Sequence, residues 1–380
     1  MDVRLLLASP NQPETEGLAL PEFPSLRRLG YSPSWQALFE PYVAEGLTPA
    51  RVIRRDRGSA LVATPAGVVR AKPSARLLKS ASGPADLPAV GDWVAALAPD
   101  DLDVPLIEAV LERMNAITRG DPGKTSDAQV LAANIDTVFV VHPIAGPPNL
   151  RRIERELSLA WDSGAVPVVV LTKADLSAEP DAARGAVESV ALGADVLAMN
   201  ALVGEGVELL LAYVSGHRTA VLIGPSGAGK STLINTLLGE QRQETREVRV
   251  SDGRGRHTTV VRELIQIPSG GVLVDSPGLR ALGLTGSEGG VTSAFPDIER
   301  TARSCRFHDC THIDEPACAV RSAVESGVLP PERLASYHKL LREARVAAMK
   351  TDARLRAEEE RKWKIIRKAA KNFHKQTGRG

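Results

Sequence analysis

The chain has 380 residues and a mass of 40.5 kDa, long enough for two or three domains. Hydrophobic residues at 43 % and charged residues at 24 % exclude wholesale disorder, and no apolar run approaches the ~18–20 residues that cross a bilayer. Lys and Arg number 47 against 46 Asp and Glu, yet Arg361–Gly380 holds eight cations and no acid, leaving 39 basic and 46 acidic groups before it; an acidic body with a basic tail points to a polyanionic partner.

The opening MDVRLLLASP has an acidic second residue and too short an apolar stretch for a signal peptide, so a cytoplasmic chain is expected. Residues 1–30 are proline-rich and aperiodic and read as a loose arm. With the short helix of WQALFEPYVA they form a first segment, 1–46. Over 47–118 come ARVIRRDRG, ALVATPAG, VVRAKP, GDWVAALA and LIEAVLERMNAITR, short strands punctuated by turn residues, the pattern of a small β-barrel. An OB-like barrel is expected, because such barrels bind oligonucleotides; a purely structural barrel fits the same residues.

From 119 to 284 strands alternate with helices. IDTVFVV, VPVVVLTKAD, ADVLAMN, TAVLI and VLVDSPG are near-continuous apolar runs, and RRIERELSLAWDSG is an amphipathic helix. That texture predicts a parallel sheet covered on both faces. Over 285–348 the strands stop and the three cysteines cluster in a small helical unit, and 349–380 form a basic helical tail.

Gly224-Pro225-Ser226-Gly227-Ala228-Gly229-Lys230-Ser231 matches the phosphate-loop pattern G-x-x-x-x-G-K-[ST], between the strand TAVLI and the helix STLINTLLG. Its glycines let backbone N–H groups curl around a β-phosphate at a helix N-terminus. Lys230 is expected on the β- and γ-phosphates and the Ser231 hydroxyl on Mg²⁺. Thr172-Lys173-Ala174-Asp175 ends the strand VPVVVL. One carboxylate there accepts both N1–H and N2–H₂ of guanine, whereas adenine would leave it facing a lone pair; the Lys173 stem can lie along the ring. Asp275-Ser276-Pro277-Gly278 follows VLV, with Asp275 expected to reach Mg²⁺ through water and the Gly278 N–H to sense the γ-phosphate. The base-reading segment precedes the phosphate loop, the reverse of an ordinary GTPase, and a circular permutation explains that order.

Cys305-x4-Cys310-x-His312-x5-Cys318 offers three sulfurs and an imidazole, a closed tetrahedral set suited to structural Zn²⁺. Spacing alone leaves His308 and His312 as rival ligands.

Together these features resemble the ribosome small-subunit-dependent GTPases of bacteria, the RsgA (YjeQ) family, over roughly Leu29 to Ala348. GDWV, LTKAD, GPSGAGKSTLIN, GRGRHTT, DSPG and CRFHDCTHIDEPACAV carry the resemblance. It implies an OB-like barrel, a circularly permuted P-loop G domain and a small α-helical zinc domain. The implied activity is GTP hydrolysis to GDP, stimulated by the 30S subunit during its late assembly, with contacts to 16S rRNA. By the same resemblance Thr172, Lys173 and Asp175 are guanine-site residues, and the phosphate loop extends from Gly224 to Thr232. Asn200-Ala201 stands where the family usually has Ser-Ala, with the Ala201 N–H facing guanine O6. GRGRHTT is the switch, in which Thr258 or Thr259 completes the Mg²⁺ and γ-phosphate contacts, and His312 is the zinc histidine, one ion per chain.

In Ras-like enzymes a Gln after the D-x-x-G glycine orients the attacking water; here Leu279 occupies that position. His257 in the switch is the candidate replacement, since a neutral imidazole orients or accepts from water; a packing or RNA-contact role fits it equally. The tail, with Trp363, Ile365, Ile366 and Phe373 among its cations, has too small an apolar face for membrane anchoring and suits rRNA phosphates. A monomer without membrane attachment is expected. Two alternatives stand beside this reading, an RNA-binding module that holds GTP without turnover and a permuted GTPase acting on another RNA particle.

Overall fold

A computed structural model describes residues 24–97, 104–119, 129–239, 262–275 and 287–352, with positions 354–358, 360, 361, 364 and 367 beyond them. After two short helices, α1 (Pro24–Arg27) and α2 (Pro33–Val43), strands β1 (Thr48–Asp56), β2 (Ser59–Thr64), β3 (Gly67–Pro73), β4 (Trp93–Leu97) and β5 (Leu106–Val110) close a five-stranded barrel, with α3 (Ala75–Ser80) before β4. The strand order is β1-β2-β3-β5-β4 and back to β1. Alternation puts Ala50, Val52, Val62, Val94 and Ile107 inside, plugged by Leu77 of α3. Ser74 caps α3, accepting from the Leu77 N–H at 3.1 Å.

Two expectations change here. Residues 24–30 of the supposed arm are held: Leu26 is fully buried with Tyr31, Trp35, Phe39 and Trp93 in an aromatic cluster on the barrel. Residues 1–23 lie outside the described part. LIEAVLERMNAITR is not one barrel strand. Between its halves, Arg113 forks onto buried Asp92 with two bonds of 2.7 Å, which turns the chain out of the barrel. The second half, β6 (Ala116–Arg119), pairs instead with β7 (Gln129–Ala133) as a separate antiparallel ribbon.

The α/β unit runs β8 (Thr137–Pro143), α4 (Leu150–Asp162), β9 (Val166–Thr172), α5 (Pro180–Glu188), β10 (Asp195–Ala198), α6 (Glu208–Val214), β11 (Thr219–Ile223), α7 (Lys230–Leu238), β12 (Glu263–Gln266) and β13 (Val272–Asp275). Its sheet is ordered β10-β9-β8-β11-β13-β12, parallel except for β12. Both faces are covered, so β8 is apolar throughout its middle: Val138 and Val140 enter one core, Phe139 and Val141 the other. The strand that leads into the phosphate loop, β11, is central. Its neighbour on one side, β8, comes earlier in the chain and its neighbour on the other, β13, comes later: a circularly permuted layout.

Four helices complete the described chain: α8 (Glu288–Ala294), α9 (Pro296–Ala302), α10 (Ala319–Glu325) and α11 (Pro331–Thr351). Gly290 lets α8 lie on α4, for a Cβ there would stand 2.4 Å from the Ser158 carbonyl oxygen. Arg333 of α11 is buried beneath, with Nη1 2.8 Å from Glu154 Oε1 of α4 and Nε and Nη2 forked onto Asp297 at 2.5 and 2.8 Å. Its guanidinium lies 4.5 Å over the Phe295 ring. This docks the cysteine-bearing unit on the sheet's helical layer.

Candidate functional site

The carboxyl ends of the parallel strands form one rim, where open α/β sheets bind ligands. At its centre β11 gives way to the loop 224–229. Gly224 (φ 135°), Gly227 (φ 77°) and Gly229 (φ 88°) take backbone angles that side chains disfavour. Gly224 also lies against β8, where a Cβ would meet the Val141 carbonyl oxygen at 2.1 Å. α7 then starts at Lys230, so Lys230, Ser231 and Thr232 form its first turn. Lys230 is largely buried, its Nζ donating to the carbonyls of Gly224 at 2.8 Å and Pro225 at 2.5 Å. Pro225, Ser226 and Ala228 complete the loop, with Ala228 fully buried.

Thr172, at the end of β9, is buried, and its hydroxyl donates to the Ala228 carbonyl at 2.6 Å. Lys173 follows in the left-handed region (φ 59°), turning the chain so that Asp175, in a 3-10 turn, stands exposed at the rim. Beyond β10, Asn200 Oδ1 accepts from the Leu202 N–H at 3.1 Å, and the Asn200 N–H donates to the Glu205 carbonyl at 3.1 Å. The first is an Asx turn, a task a Ser does more weakly, so asparagine serves at this position. Ala201 is buried, and its carbonyl accepts from Thr236 Oγ1 of α7 at 2.9 Å. Both rim loops are thus tied to the phosphate-loop segment.

Asp275 closes β13 directly after Val274, which pairs with Val221 of β11, so it ends beside the phosphate loop's own strand. His257, Thr258, Thr259, Gly278 and Leu279 lie outside the described residues, as do the aromatic and isoleucine side chains of the tail.

The ligand atoms of Cys305, Cys310, His312 and Cys318 all lie within 4.8 Å of one another. Cys305 Sγ is 3.7 Å from His312 Nδ1 and 3.9 Å from Cys318 Sγ, and Cys318 Sγ is 3.4 Å from that nitrogen. A tetrahedron with ~2.3 Å arms to sulfur has edges of roughly 3.8 Å, so the donor set fits one metal ion, and no disulfide competes for the thiols. His308 is exposed and outside the group. Burial, then neighbouring His338, pushes His312 below its ordinary range, which keeps the imidazole neutral, as a ligand must be. The turn bearing His312 (φ 61°) wraps Glu315, whose carboxylate accepts from Thr311 N–H and Oγ1 and from the Ile313 and Asp314 N–H groups at 2.5–3.2 Å. The Thr311 bonds hold Glu315 down at about 2.

Sequence reasoning missed the buried polar groups that hold this frame. His142 Nε2 lies 2.6 Å from Glu156 Oε2, and Arg152 completes that group at 3.0 Å; Arg51 and Arg333 are buried at the two flanks. His142 in the apolar run TVFVVHP was the one visible signal.

A family profile described as RsgA GTPase matches residues 110–285. The chain is 48 % identical over 340 residues to the "Small ribosomal subunit biogenesis GTPase RsgA" of Streptomyces avermitilis, covering 88 % of this chain and 90 % of that protein. The chain belongs to the RsgA family. An RsgA relative from Opitutus terrae is 43 % identical over 351 residues, 90 % of this chain and 96 % of its own. YjeQ from Thermotoga maritima superposes with a TM-score of 0.60 at 26 % identity, over 78 % of this chain and 98 % of its own. The fold is shared with YloQ, described as a circularly permuted GTPase, at TM-score 0.57 and 24 % identity. This RsgA-family chain is accordingly a GTP hydrolase on a permuted G domain. Among the described residues no helix is long and apolar enough to cross a membrane.

Proposed function

We propose that this GTPase is a late assembly factor of the 30S ribosomal subunit, hydrolysing GTP when it is docked on that particle. The observation that carries the reading is the 48 % identity, over nine-tenths of the relative, to a protein named for small-subunit biogenesis. The barrel, residues 47–118, and the basic tail, 349–380, contact 16S rRNA. The G domain, 119–284, turns GTP over, and the 285–348 unit holds zinc. The factor works as a cytoplasmic monomer.

Asp175 selects guanine by accepting from N1–H and N2–H₂, with Lys173 along the ring and the Ala201 N–H on O6. The amides of Gly224–Thr232 and the Lys230 ammonium bind the phosphates. The Ser231 hydroxyl and, through water, Asp275 would hold a magnesium ion, which would supply positive charge against the β- and γ-phosphates. Thr258 or Thr259 and the Gly278 N–H bind the γ-phosphate. Water attacks the γ-phosphorus, the bond to the bridging oxygen breaks with its electron pair going to GDP, and the water oxygen leaves in inorganic phosphate as the water gives up a proton. With Leu279 unable to orient that water, His257 does so when the protein is docked on the 30S subunit. Cys305, Cys310, His312 and Cys318 hold zinc, which fixes their loop.

The test is GTP hydrolysis by the purified protein alone and with 30S, 50S or 70S particles. A slow basal rate raised chiefly by 30S is expected. Equal stimulation by every particle would overturn the 30S assignment.

A further inference from the structure

The barrel's sheet continues into that of the G domain through β1, which pairs with β12. β1 carries a bulge between Val52 and Arg54, and bulges bend and twist the strand that holds them. The extra residue, Ile53, packs against both the barrel's aromatic cluster and the larger core of the parallel sheet. Immediately after it, Arg54 pairs with Glu263 of β12, and Glu263 pairs with Asp275 of β13. Just before it, Arg51 sends its guanidinium into the junction, 2 % exposed. Its Nη2 donates to Thr219 Oγ1, at the start of β11, at 2.8 Å. The other donors reach the carbonyls of Leu29, of Gly91 at 3.3 Å and of Asn134 at 3.5 Å, and the group lies 5.2 Å from the Trp93 ring centre. Thr219 is held from its other side by Asp136, whose carboxylate accepts the Thr219 N–H at 2.7 Å.

β1 therefore holds the start of β11, whose other end leads to Gly224, and through β12 it lies level with Asp275 at the end of β13. Burial pulls the Arg51 guanidinium down to about 10, opposed by Asp136 and Asp92. An apolar side chain put there alone would leave the acceptors on Leu29, Gly91, Asn134 and Thr219 without their donor. What the planar fork of donors adds is direction, since four segments must keep their mutual orientation to satisfy it. Little slack exists farther along, because β11 has only five residues and Gly224 rests against Val141.

We propose that Arg51 is a positioning residue, acting through Thr219, that couples what the barrel binds to the nucleotide held at the phosphate loop. The proposal rests on the 30S reading above. The coupling is reciprocal: nucleotide that changes 30S affinity is itself bound differently on 30S, by the same factor, typically about 5–150-fold.

The test uses the full chain, with Thr219→Val removing the acceptor at nearly constant shape and Thr219→Ser keeping it. Affinity for 30S subunits is measured with GDP and with a non-hydrolysable GTP analogue, alongside kcat and KM for GTP with and without 30S. In Thr219→Val we expect basal kcat and KM within about twofold of the native protein. The ratio of the two 30S affinities falls at least roughly fivefold, stimulated kcat falls with it, and Thr219→Ser restores both. Arg51→Met, which also removes the bonds to Leu29, Gly91 and Asn134, lowers the ratio at least as far as Thr219→Val. An unchanged ratio in Thr219→Val overturns the proposal, as does an equal loss in Thr219→Ser. A native protein that fails to bind 30S at all instead overturns the functional reading on which the proposal stands.

Discussion

The hydroxyl of Thr172 donates to the carbonyl of Ala228 at 2.6 Å, so the end of β9 and the loop after β11 form one hydrogen-bonded piece. Both partners are buried. Thr172→Val keeps the shape but leaves the Ala228 carbonyl without that donor, a defect that costs about 1–3 kcal/mol. Titration with a fluorescent GDP analogue is expected to show roughly tenfold weaker binding, at 1.4 kcal/mol per decade. Thr172→Ser should stay within about threefold of native. Equal affinities in all three proteins would mean that the bond does not shape the loop.

Asp175 stands exposed on the turn that the left-handed Lys173 creates, so its substitution disturbs little packing. Asp175→Asn replaces one acceptor with a donor that faces the guanine N–H groups. GTP affinity should fall by roughly 10²-fold or more, while xanthosine triphosphate, which has a carbonyl at C2, gains. Competition titration with both nucleotides decides; unchanged preference would remove Asp175 from base reading.

The metal group separates two histidines that spacing could not. Protein purified without chelator should contain one zinc per chain by elemental analysis. His312→Ala should lose most of it and His308→Ala none, because only the first belongs to the cluster. Zinc retained by His312→Ala and lost from His308→Ala would reverse the assignment.

Glu315 gives the same loop an acid limit. Its folded pKa, about 2, lies below the ~4.3 of a free glutamate, so its bonds stabilise the turn fully above the higher value. They fade as pH falls toward the lower one. Amide exchange at Thr311, Ile313 and Asp314 should accelerate over that window. Glu315→Gln should already exchange faster at pH 6, which circumvents the loss of metal in acid.

His257→Ala should bind GTP nearly as the native protein does, yet lose roughly 10²–10⁴-fold in 30S-stimulated turnover, the range of one positioned acid–base group. Single-turnover rates with 30S are the measurement, and native rates in that variant would leave the attacking water to another group.

The strands of the G domain were legible because both faces of its sheet are covered, leaving apolar runs such as TVFVV and VPVVVL in the sequence. The phosphate loop was legible because its glycines answer backbone demands, as Gly224 does against Val141. Partner choice among buried polar groups was not. Nothing in the sequence marks Arg51, Arg113 or Arg333, whose partners Thr219, Asp92 and Glu154 are brought to them by the fold across long stretches of chain. β12 was missed because ELIQ is only four residues long and joins the sheet antiparallel, between β13 and the barrel's β1. The departure of Arg113 from the barrel likewise depends on an aspartate twenty-one positions away.

The permuted strand order also sets a hazard during synthesis. Of the parallel sheet, a nascent chain makes β8, α4, β9 and β10 first, and these strands can pair as a parallel three-stranded sheet. Until Thr219–Ile223 emerges, β8 stands at the open edge of that sheet, apolar on both sides and with its backbone groups unmatched on one flank. Such an edge is a template for another chain. In an unpermuted G domain the equivalent of β11 is made before β8 and waits to receive it. Here the growing chain must protect β8 by other means until its central partner arrives, and conditions that slow translation between Pro143 and Thr219 lengthen that exposure.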